Sequence, residues 1–333
     1  MRVVSGIQPT GDLHLGNLLG AILRWTAMQE EAEASRFFFL ADLHAITVDH
    51  DPAQLRRNVR EMAAALLAAG IDPERSVLFA QSDVPAHAEL QWLLACTARM
   101  GWLSRMTQFK AKSGKNREKA SVGLFTYPVL QAADVMLYQA THVPVGEDQK
   151  QHIELARDIA DSFNHRVGEE VFAAPAPYIG SGRAARVMSL RDASNKMSKS
   201  DPSDMSRINL TDDDDTILAK IRKARTDPDP LPDNLDGLEE RPEARNLVGI
   251  MAAVTNRSEE AVLAEFAGQG FGAFKPALGE ALVALLGPIR TRLEALRADE
   301  ARLDAILDQG AQTAREAARP TLDKAYAALG LRR

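Results

Sequence analysis

The sequence predicts an α/β fold, a Rossmann-like doubly wound parallel sheet followed by a helical C-terminal domain. In the first half of the 333-residue chain, short apolar runs alternate with longer segments of helical periodicity. Strands and helices that alternate in this way are joined by right-handed crossovers and form a parallel sheet. Beyond residue 200 the helical pattern continues to the last residues. We therefore expect a Rossmann-like domain over residues 1–200, with a helical insertion and a lysine-rich loop at its end, and a helical domain over residues 201–333.

Each element is predicted by a local pattern. Apolar runs bounded by turn residues predict strands at residues 1–7, 36–40, 76–80 and 141–145. Helical periodicity predicts helices in the first half at residues 13–29, 53–69, 85–99 and 149–163. Pro128, at a favoured first-turn position, begins another helix over residues 129–138. Further helices are expected at residues 243–255, 258–266, 275–306 and 310–329, the third of them broken near Gly287-Pro288.

The composition excludes several classes of protein. A net charge of −6 argues against a protein that coats nucleic acid, although a local basic face such as residues 220–225 is compatible with RNA. The single cysteine, Cys96, excludes an intramolecular disulfide, and its apolar surroundings predict a buried side chain. Because we find no apolar run of membrane-spanning length and no secretory signal pattern, we expect a cytoplasmic protein with no membrane partner.

Two stretches suit the binding of phosphate. Lys196-Met197-Ser198-Lys199-Ser200 has two ammonium groups three residues apart and is followed by Asp201-Pro202. It is either a solvated loop or a mobile loop that brings positive charge to a polyphosphate. Near the N-terminus, a predicted strand runs through a glycine-containing turn into a helix that opens at His14-Leu15-Gly16-Asn17. The unpaired N–H groups at such a helix N-terminus form an anion site, and Gly16 lets a ligand approach the backbone.

Three further patterns have both a structural and a functional interpretation. Tyr127, Gln131, Asp134 and Tyr138 form a polar stripe on an otherwise apolar helix, which faces either solvent or a pocket whose ligand satisfies the carboxylate. Residues 106–119 are rich in Lys, Gly and Ser and form either a surface loop or a lid over phosphates. The acidic run 212–215 is best explained as the first turn of a helix capped by Thr211, and less well as a metal site.

Together the two phosphate stretches resemble the paired signatures of the class I aminoacyl-tRNA synthetases. His14-Leu15-Gly16-Asn17 corresponds to the HIGH-type signature, with Asn17 in place of its second histidine, and the lysine loop is an intact KMSKS signature. The segment from Val145 to Leu155, including Gly146-Glu147-Asp148-Gln149, resembles the tryptophanyl members, and the resemblance covers essentially the whole chain.

The resemblance implies an activity and its partners. A tryptophan–tRNA ligase activates L-tryptophan with ATP and Mg²⁺ to tryptophanyl-adenylate and transfers it to tRNA(Trp). The resemblance further implies a homodimer. It also implies that the helical domain at residues 201–333 binds the anticodon of the tRNA. The Mg²⁺ enters with ATP as part of the substrate, and no protein metal ligand is implied.

The resemblance also implies site residues. The catalytic residues that it implies are His14, Asn17, Lys112, Lys196, Ser198 and Lys199. Those that it implies for ATP are Gln8, Pro9, Thr10, Gly16, Asn17, Gly146, Glu147, Asp148, Val187, Lys196, Met197, Ser198, Lys199 and Ser200. Those that it implies for tryptophan are Gly6, Ile7, His44, Tyr127, Gln131, Asp134, Val143, Val145 and Gln149. Within the last group Asp134 accepts the indole N–H, and Gln131 stands where the family often has methionine.

Three other functions remain open at this stage. A tyrosyl-tRNA synthetase shares the fold and both signatures. A small-molecule adenylyltransferase shares the HIGH-type turn but does not need the helical region after residue 201. A synthetase-like regulator that binds tryptophan or RNA without turnover is the non-enzymatic alternative, and the retention of both signatures argues against it.

Overall fold

Five parallel strands form one sheet in the order β3-β2-β1-β4-β5. The computed structural model describes residues 1–9, 11, 13–31, 34–107, 120–144, 150–178 and 186–332. The strands are β1 (Arg2–Ile7), β2 (Ser35–Leu40), β3 (Val77–Ala80), β4 (His142–Pro144) and β5 (Ala176–Tyr178). The order reverses between β1 and β4, which opens a crevice at their carboxyl ends. The predicted doubly wound parallel sheet is thus confirmed. The three-residue β5 lacks an apolar run and was not predicted.

Helices cover both faces of the sheet. Helix α1 consists of Leu15–Asn17, a π-helical turn at Leu18–Ile22 and Leu23–Met28. The other helices of the first half are α2 (Asp42–Ala45), α3 (Pro52–Ala68), α4 (Ala86–Ala95), α5 (Met100–Leu103), α6 (Val122–Met136) and α7 (Lys150–Val167). The helices after the lysine loop are α8 (Asp214–Arg222), α9 (Pro242–Val254), α10 (Glu259–Phe266), α11 (Phe271–Arg297) and α12 (Glu300–Ala328).

The strands alternate between two hydrophobic cores. Phe38 packs on one side of the sheet with residues of α1, α3 and α11. Phe37 and Phe39 point to the other side and pack with residues of α4, α6, α7 and α12. This alternation follows from the two-residue period of a strand. Because both faces are covered, β2 is apolar from Phe37 to Leu40, as is typical of parallel sheets.

The last helix, α12, lies directly against the edge strand β3. A Cβ added to Gly310 would lie 1.9 Å from the carbonyl oxygen of Leu78, so only glycine allows the two backbones to approach this closely. Further along α12, Ala314, Ala318 and Leu322 belong to the same core as Phe79. Helix α12 thereby covers a sheet edge that would otherwise expose unpaired backbone groups. The division at residue 200 stays a prediction.

Several predicted helix boundaries are wrong. Pro128 lies inside α6, which begins at Val122 and is capped by the Ser121 hydroxyl. Helix α11 continues through Pro288 and ends at Arg297, so the predicted break near Gly287 is wrong. The chain breaks instead before α12, which starts at Glu300 and not at Gly310. A proline removes one backbone hydrogen bond, and the buried side chains of α11 on both sides of Pro288 keep that helix in register with the core.

Two expectations from composition also need correction. Cys96 is exposed at the C-terminal end of α4 and is not buried. Helix α11 is long and apolar enough to span a membrane by length and composition alone, contrary to the expectation that no such run exists. A core helix of a soluble protein passes the same test, and Phe274, Leu278 and Leu282 of α11 belong to a hydrophobic core.

Candidate active site

A cavity of about 390 Å³ opens at the carboxyl ends of β1, β2 and β4, next to the crevice where the strand order reverses. Among its lining residues are seven of those predicted to contact the amino acid or ATP: Gly6, Gln8, His44, Tyr127, Gln131, Asp134 and Val143. Val143 of β4 completes the wall that the sequence predicted, whereas Ile7 points away and packs against the core on the other side of the sheet. Ile7 differs from Gly6 in this way because successive residues of a strand face opposite sides of the sheet.

The polar stripe on α6 is buried, so the alternative that it faces solvent is wrong. Tyr127 and Asp134 are 7% and 1% exposed, and both line the cavity. The stripe faces inward because donors from other elements satisfy its carboxylate, which removes the cost of burying it.

Asp134 accepts hydrogen bonds from three side chains. His44 Nε2 lies 2.8 Å from Oδ2, Gln81 Nε2 lies 2.6 Å from Oδ1, and His87 Nδ1 lies 2.7 Å from Oδ1. Burial by itself raises the pKa of the Asp134 carboxyl, but the positive potential and hydrogen bond of His44, together with His87, outweigh it and lower the pKa to about 2. The carboxylate is therefore ionised and can only accept hydrogen bonds.

Tyr127 forms a second polar contact of the cavity wall. Its hydroxyl lies 3.1 Å from His152 Nε2, and its ring meets the His44 ring edge-on at 6.2 Å. Burial raises the pKa of Tyr127 to about 12, so the hydroxyl keeps its proton and can donate. A neutral donor thus stands on the same helix as the Asp134 acceptor.

The turn before α1 holds His14 in one orientation. His14 Nδ1 accepts from the Gly16 N–H at 3.1 Å, and Asn17 Oδ1 accepts from the His14 N–H at 3.1 Å. This reciprocal pair is a capping box in which histidine and asparagine replace the usual residues. Because Nδ1 is used as an acceptor, the proton of a neutral His14 must be on Nε2.

The surroundings of His14 keep its ring neutral. Burial, and then the positive charges of Arg207, Lys196 and Lys199, lower the pKa of His14 from 6.5 to about 4. At neutral pH the side chain therefore presents an uncharged Nε2–H donor. Such a group can donate to a phosphate oxygen without being a general acid.

The lysine loop packs directly on this turn. Met197 is buried, and its Cβ lies 3.5 Å from the position that a Cβ on Gly16 would take. Lys199 Nζ lies 3.3 Å from the corresponding position on Gly11, which has a positive φ of 101°. The ammonium groups of the loop are thus brought to the helix N-terminus predicted to bind phosphate.

Backbone pairing ties the two stretches together. The Leu15 N–H donates to the carbonyl of Ile208 at 2.8 Å, and the Leu210 N–H donates to the carbonyl of Leu13 at 3.0 Å. On the other side of the loop, the Met197 N–H donates to the Val187 carbonyl at 3.1 Å. The exposed side chains of Lys196, Lys199 and Ser200 project from a loop whose two ends are held by these bonds.

Comparison with known proteins identifies the family. Residues 1–287 match the family model of the class I tRNA synthetases for W and Y. The chain belongs to the class I tRNA synthetases.

Individual relatives agree with this assignment. The chain is 60% identical to the tryptophan–tRNA ligase of Caulobacter vibrioides, over 96% of this chain and 93% of the relative. It is 54% identical to that of Rhizobium meliloti, over 98% and 97%. Among solved structures it resembles the tryptophanyl-tRNA synthetase of Mycoplasma pneumoniae, with a TM-score of 0.87 and 34% identity over 99% of this chain and 98% of that one.

A third relative was solved with ligands. The tryptophanyl-tRNA synthetase of Campylobacter jejuni, complexed with ADP and tryptophan, has a TM-score of 0.81 and is 37% identical over 99% of this chain and 100% of that one. The predictions of an aminoacyl-tRNA synthetase and of an enzyme are confirmed.

Part of the predicted site lies outside the described residues of this synthetase. The residues concerned are Thr10, Lys112, Val145, Gly146, Glu147, Asp148 and Gln149. Of the other residues predicted for ATP, Pro9 and Val187 are buried, whereas Gln8 is exposed at the cavity. Ser198 Oγ lies 2.8 Å from Ser200 Oγ, so the two hydroxyls of the loop share a hydrogen bond.

The acidic run has structural partners. Asp213, not Thr211, caps α8, because its carboxylate accepts from the Thr216 N–H at 2.7 Å. Asp212 binds Lys220 at 2.6 Å, and Asp214 binds Arg290 at 2.8 Å. Lys220 is 1% exposed, so it cannot belong to the basic RNA face expected at residues 220–225. Within the described ranges, no cluster of three or more His, Cys, Asp or Glu side chains is arranged to hold a metal ion.

Sequence reasoning missed three residues around Asp134. Gln81 immediately follows β3, His87 lies in the first turn of α4, and Tyr138 is one turn beyond Asp134 on the polar stripe. All three are fully buried. The spacing of the stripe was the one available signal for Tyr138. His87 had none, because only the packing of α4 against α6 brings it to the carboxylate.

Proposed function

We propose that this synthetase is a tryptophan–tRNA ligase, which forms tryptophanyl-adenylate from L-tryptophan and ATP and transfers the acyl group to tRNA(Trp). The observation that carries the proposal is the buried, ionised carboxylate of Asp134 in the wall of the cavity. An indole has a single N–H donor, and an acceptor-only group is its complement. The similarity to relatives named tryptophan–tRNA ligases supports the proposal.

Asp134 has room for one more donor. A carboxylate has about four lone-pair positions, and three are occupied by Gln81 and His87 on Oδ1 and by His44 on Oδ2. The remaining position, on Oδ2, takes the indole N–H. A substrate without this N–H leaves the carboxylate under-satisfied, and sites of this kind discriminate against such an analogue by roughly 10⁴-fold.

The activation step needs positioning and charge stabilisation but no protein nucleophile. The carboxylate of tryptophan attacks the α-phosphorus of ATP in line, and the bond to pyrophosphate breaks. The neutral Nε2–H of His14 and the amide of Asn17 donate to the reacting phosphate. Lys196 and Lys199, with the Ser198 hydroxyl, stabilise the charge on the departing pyrophosphate. The Mg²⁺ that accompanies ATP supplies further positive charge at the phosphates.

The transfer step and the biological setting are part of the same proposal. The helical part at residues 201–333 binds the anticodon of tRNA(Trp), and the active protein is a cytoplasmic homodimer. Gln149 and Tyr127 hold the amino-acid end of the substrate. The neutral hydroxyl of Tyr127 supports this role, because it can accept from an ammonium group as well as donate.

ATP–pyrophosphate exchange tests the proposal. The purified protein is assayed in parallel with tryptophan, tyrosine, phenylalanine and no amino acid. We expect exchange with tryptophan alone, and we expect Asp134→Ala to lower kcat/KM for tryptophan on the order of 10³-fold, since three buried donors lose their acceptor. Exchange with tyrosine would keep the reaction and overturn the specificity. Exchange with none of them would overturn both.

A further inference from the structure

His87 connects the carboxylate of Asp134 to the buried hydroxyl of Tyr138. Its Nδ1 lies 2.7 Å from Asp134 Oδ1, and its Nε2 lies 2.8 Å from the hydroxyl of Tyr138. His87 and Tyr138 are both 0% exposed. The rings of Phe39 and Phe79 stand 5.7 Å and 5.9 Å from the His87 ring. The chain of contacts Tyr138–His87–Asp134 therefore runs through an apolar interior.

The protonation of this chain follows from its geometry. Asp134 is ionised and can only accept, so its contact with His87 Nδ1 is a hydrogen bond only while Nδ1 carries the proton. Burial, and then the negative charge of Asp134, raise the pKa of Tyr138 well above its usual range, so its hydroxyl keeps its proton. Within the described part of the chain, His87 Nε2 is the hydrogen-bond partner of that hydroxyl. With the proton of His87 on Nδ1, the Nε2 lone pair can accept from that hydroxyl.

We infer that Tyr138 and His87 are positioning residues for indole recognition. Tyr138 holds His87 in the Nδ1–H tautomer, and His87 in turn keeps Asp134 ionised and oriented with its free Oδ2 position toward the cavity. The inference rests on the proposed function and adds two residues to it, neither of which lines the cavity.

Removing the Tyr138 hydroxyl changes what Asp134 can do. In Tyr138→Phe, His87 Nε2 loses its donor in a dry environment. Either the ring takes up a second proton, which offsets the charge of Asp134, or the proton moves to Nε2 and leaves a lone pair facing the carboxylate. Both outcomes weaken the acceptance of the indole N–H. Neither outcome changes the shape of the cavity. The aromatic ring at position 138 stacks on Phe37 with the ring centroids 4.6 Å apart, and this contact needs no hydroxyl.

The test compares tryptophan with its benzothiophene analogue, in which sulfur replaces the indole N–H. The KM for tryptophan in ATP–pyrophosphate exchange and the inhibition constant of the analogue are measured for wild type and Tyr138→Phe. We expect the KM to rise by roughly tenfold, the size of one impaired buried hydrogen bond. The inhibition constant of the analogue and kcat at saturating tryptophan should stay within about twofold.

Matched variants separate recognition from packing. Tyr326→Phe deletes the same hydroxyl at a position whose partner is Glu89 at 3.4 Å, and it should leave both constants unchanged. His87→Asn keeps an N–H donor near the position of Nδ1 and should retain most of the preference for tryptophan. His87→Leu fills similar space without a donor and should lose that preference.

The results distinguish the inference from the proposed function. If Tyr138→Phe weakens both compounds equally, or weakens neither, the positioning role is overturned while the ligase remains. If His87→Leu prefers tryptophan as strongly as His87→Asn does, the donor from His87 is not needed and the inference fails. Wild-type protein that exchanges no pyrophosphate with tryptophan contradicts the proposed function itself, and the inference with it.

Discussion

Single residues in this site owe their chemistry to neighbours that are distant in the sequence. His14 is an ordinary histidine by type, but burial, and then the positive charges of Arg207, Lys196 and Lys199, lower its pKa and disfavour its protonation. Asp134 is a buried carboxylate that stays ionised because three side chains donate to it. In each case the environment selects one protonation state, and that state determines whether the group donates or accepts.

The neutral state of His14 predicts a pH dependence of stability. The folded-state pKa of about 4 lies below the unfolded value of 6.5. As the pH falls through 6.5 the unfolded chain binds a proton that the folded protein does not, so stability present above 6.5 is lost progressively toward 4. His14→Gln removes this titration. We expect wild type to lose more of its unfolding free energy than His14→Gln between about pH 7.5 and pH 5 in urea denaturation. Equal losses would mean that His14 is protonated as readily in the folded protein as in the unfolded chain.

Replacing Lys199 should change the rate of adenylate formation and not the affinity for tryptophan. In the proposed mechanism its ammonium acts on charge that develops as pyrophosphate leaves, so Lys199→Ala should lower the single-turnover rate of adenylate formation about a hundredfold or more. The KM for tryptophan should be nearly unchanged, since Lys199 is not among the residues lining the cavity. Lys324→Ala, on the exposed face of α12, is the matched control and should leave the rate unaltered. An unchanged rate in Lys199→Ala would remove this lysine from the mechanism.

At the scale of elements, the close contact of α12 with β3 depends on one glycine. The Cβ of any other residue at position 310 would lie within 3.0 Å of both the carbonyl carbon and the carbonyl oxygen of Leu78. A strand backbone cannot give way as a flexible side chain can, so the helix would have to move outward. The same strand leads into Gln81, one of the three donors to Asp134. Packing at this sheet edge is therefore connected, through Gln81 and Asp134, to the wall of the cavity.

Gly310→Ala should destabilise the protein by about 1 to 3 kcal/mol, the usual cost of overpacking. Gly249→Ala is the matched control within helix α9, where the new Cβ would meet only a Glu259 carboxylate oxygen at 3.6 Å. There we expect no loss, or a gain of up to about 1 kcal/mol from helix propensity. Urea denaturation of both variants decides the matter, and a neutral Gly310→Ala would show that α12 can shift away from β3 without cost.

At the scale of the whole molecule, the helices after residue 200 share their cores with the sheet. Leu278 and Leu282 of α11 belong to the core under one face of the sheet, and Ala314 and Leu322 of α12 belong to the core under the other. Ion pairs cross the same boundary, such as Arg60 with Asp304 at 2.8 Å. Among the described residues, the two parts are thus joined by both hydrophobic cores and by ion pairs.

We therefore expect one cooperative unfolding transition for the full chain. In scanning calorimetry, the calorimetric and van't Hoff enthalpies should agree. ATP and tryptophan should shift that single transition upward, since ligands that bind only the folded state stabilise it. Two separate transitions, with only the first shifted by the ligands, would indicate that residues 1–200 and 201–333 are independently stable domains.

The sequence by itself determined the elements that depend on local pattern. Alternating apolar runs predicted the parallel sheet, the resemblance to the family implied His44 and Asp134 for the amino acid, and the two signatures predicted phosphate binding at His14 and Lys199. Helix ends were predicted less accurately, as at Pro128 and Gly287, because from the sequence alone a proline inside a well-packed helix cannot be told from one at a helix boundary.

The tertiary structure alone decided which groups share the same desolvated space. It turned the Tyr127–Tyr138 stripe inward, brought His87 to Asp134 from another helix, and buried His14 beside Arg207 and the lysine loop, which lowers the pKa of His14. It also placed α12 along β3, with Gly310 at the point of contact. Burial, hydrogen-bond partners and protonation states are properties of residues that meet from distant parts of the chain, and a local sequence pattern holds no information about which residues will meet.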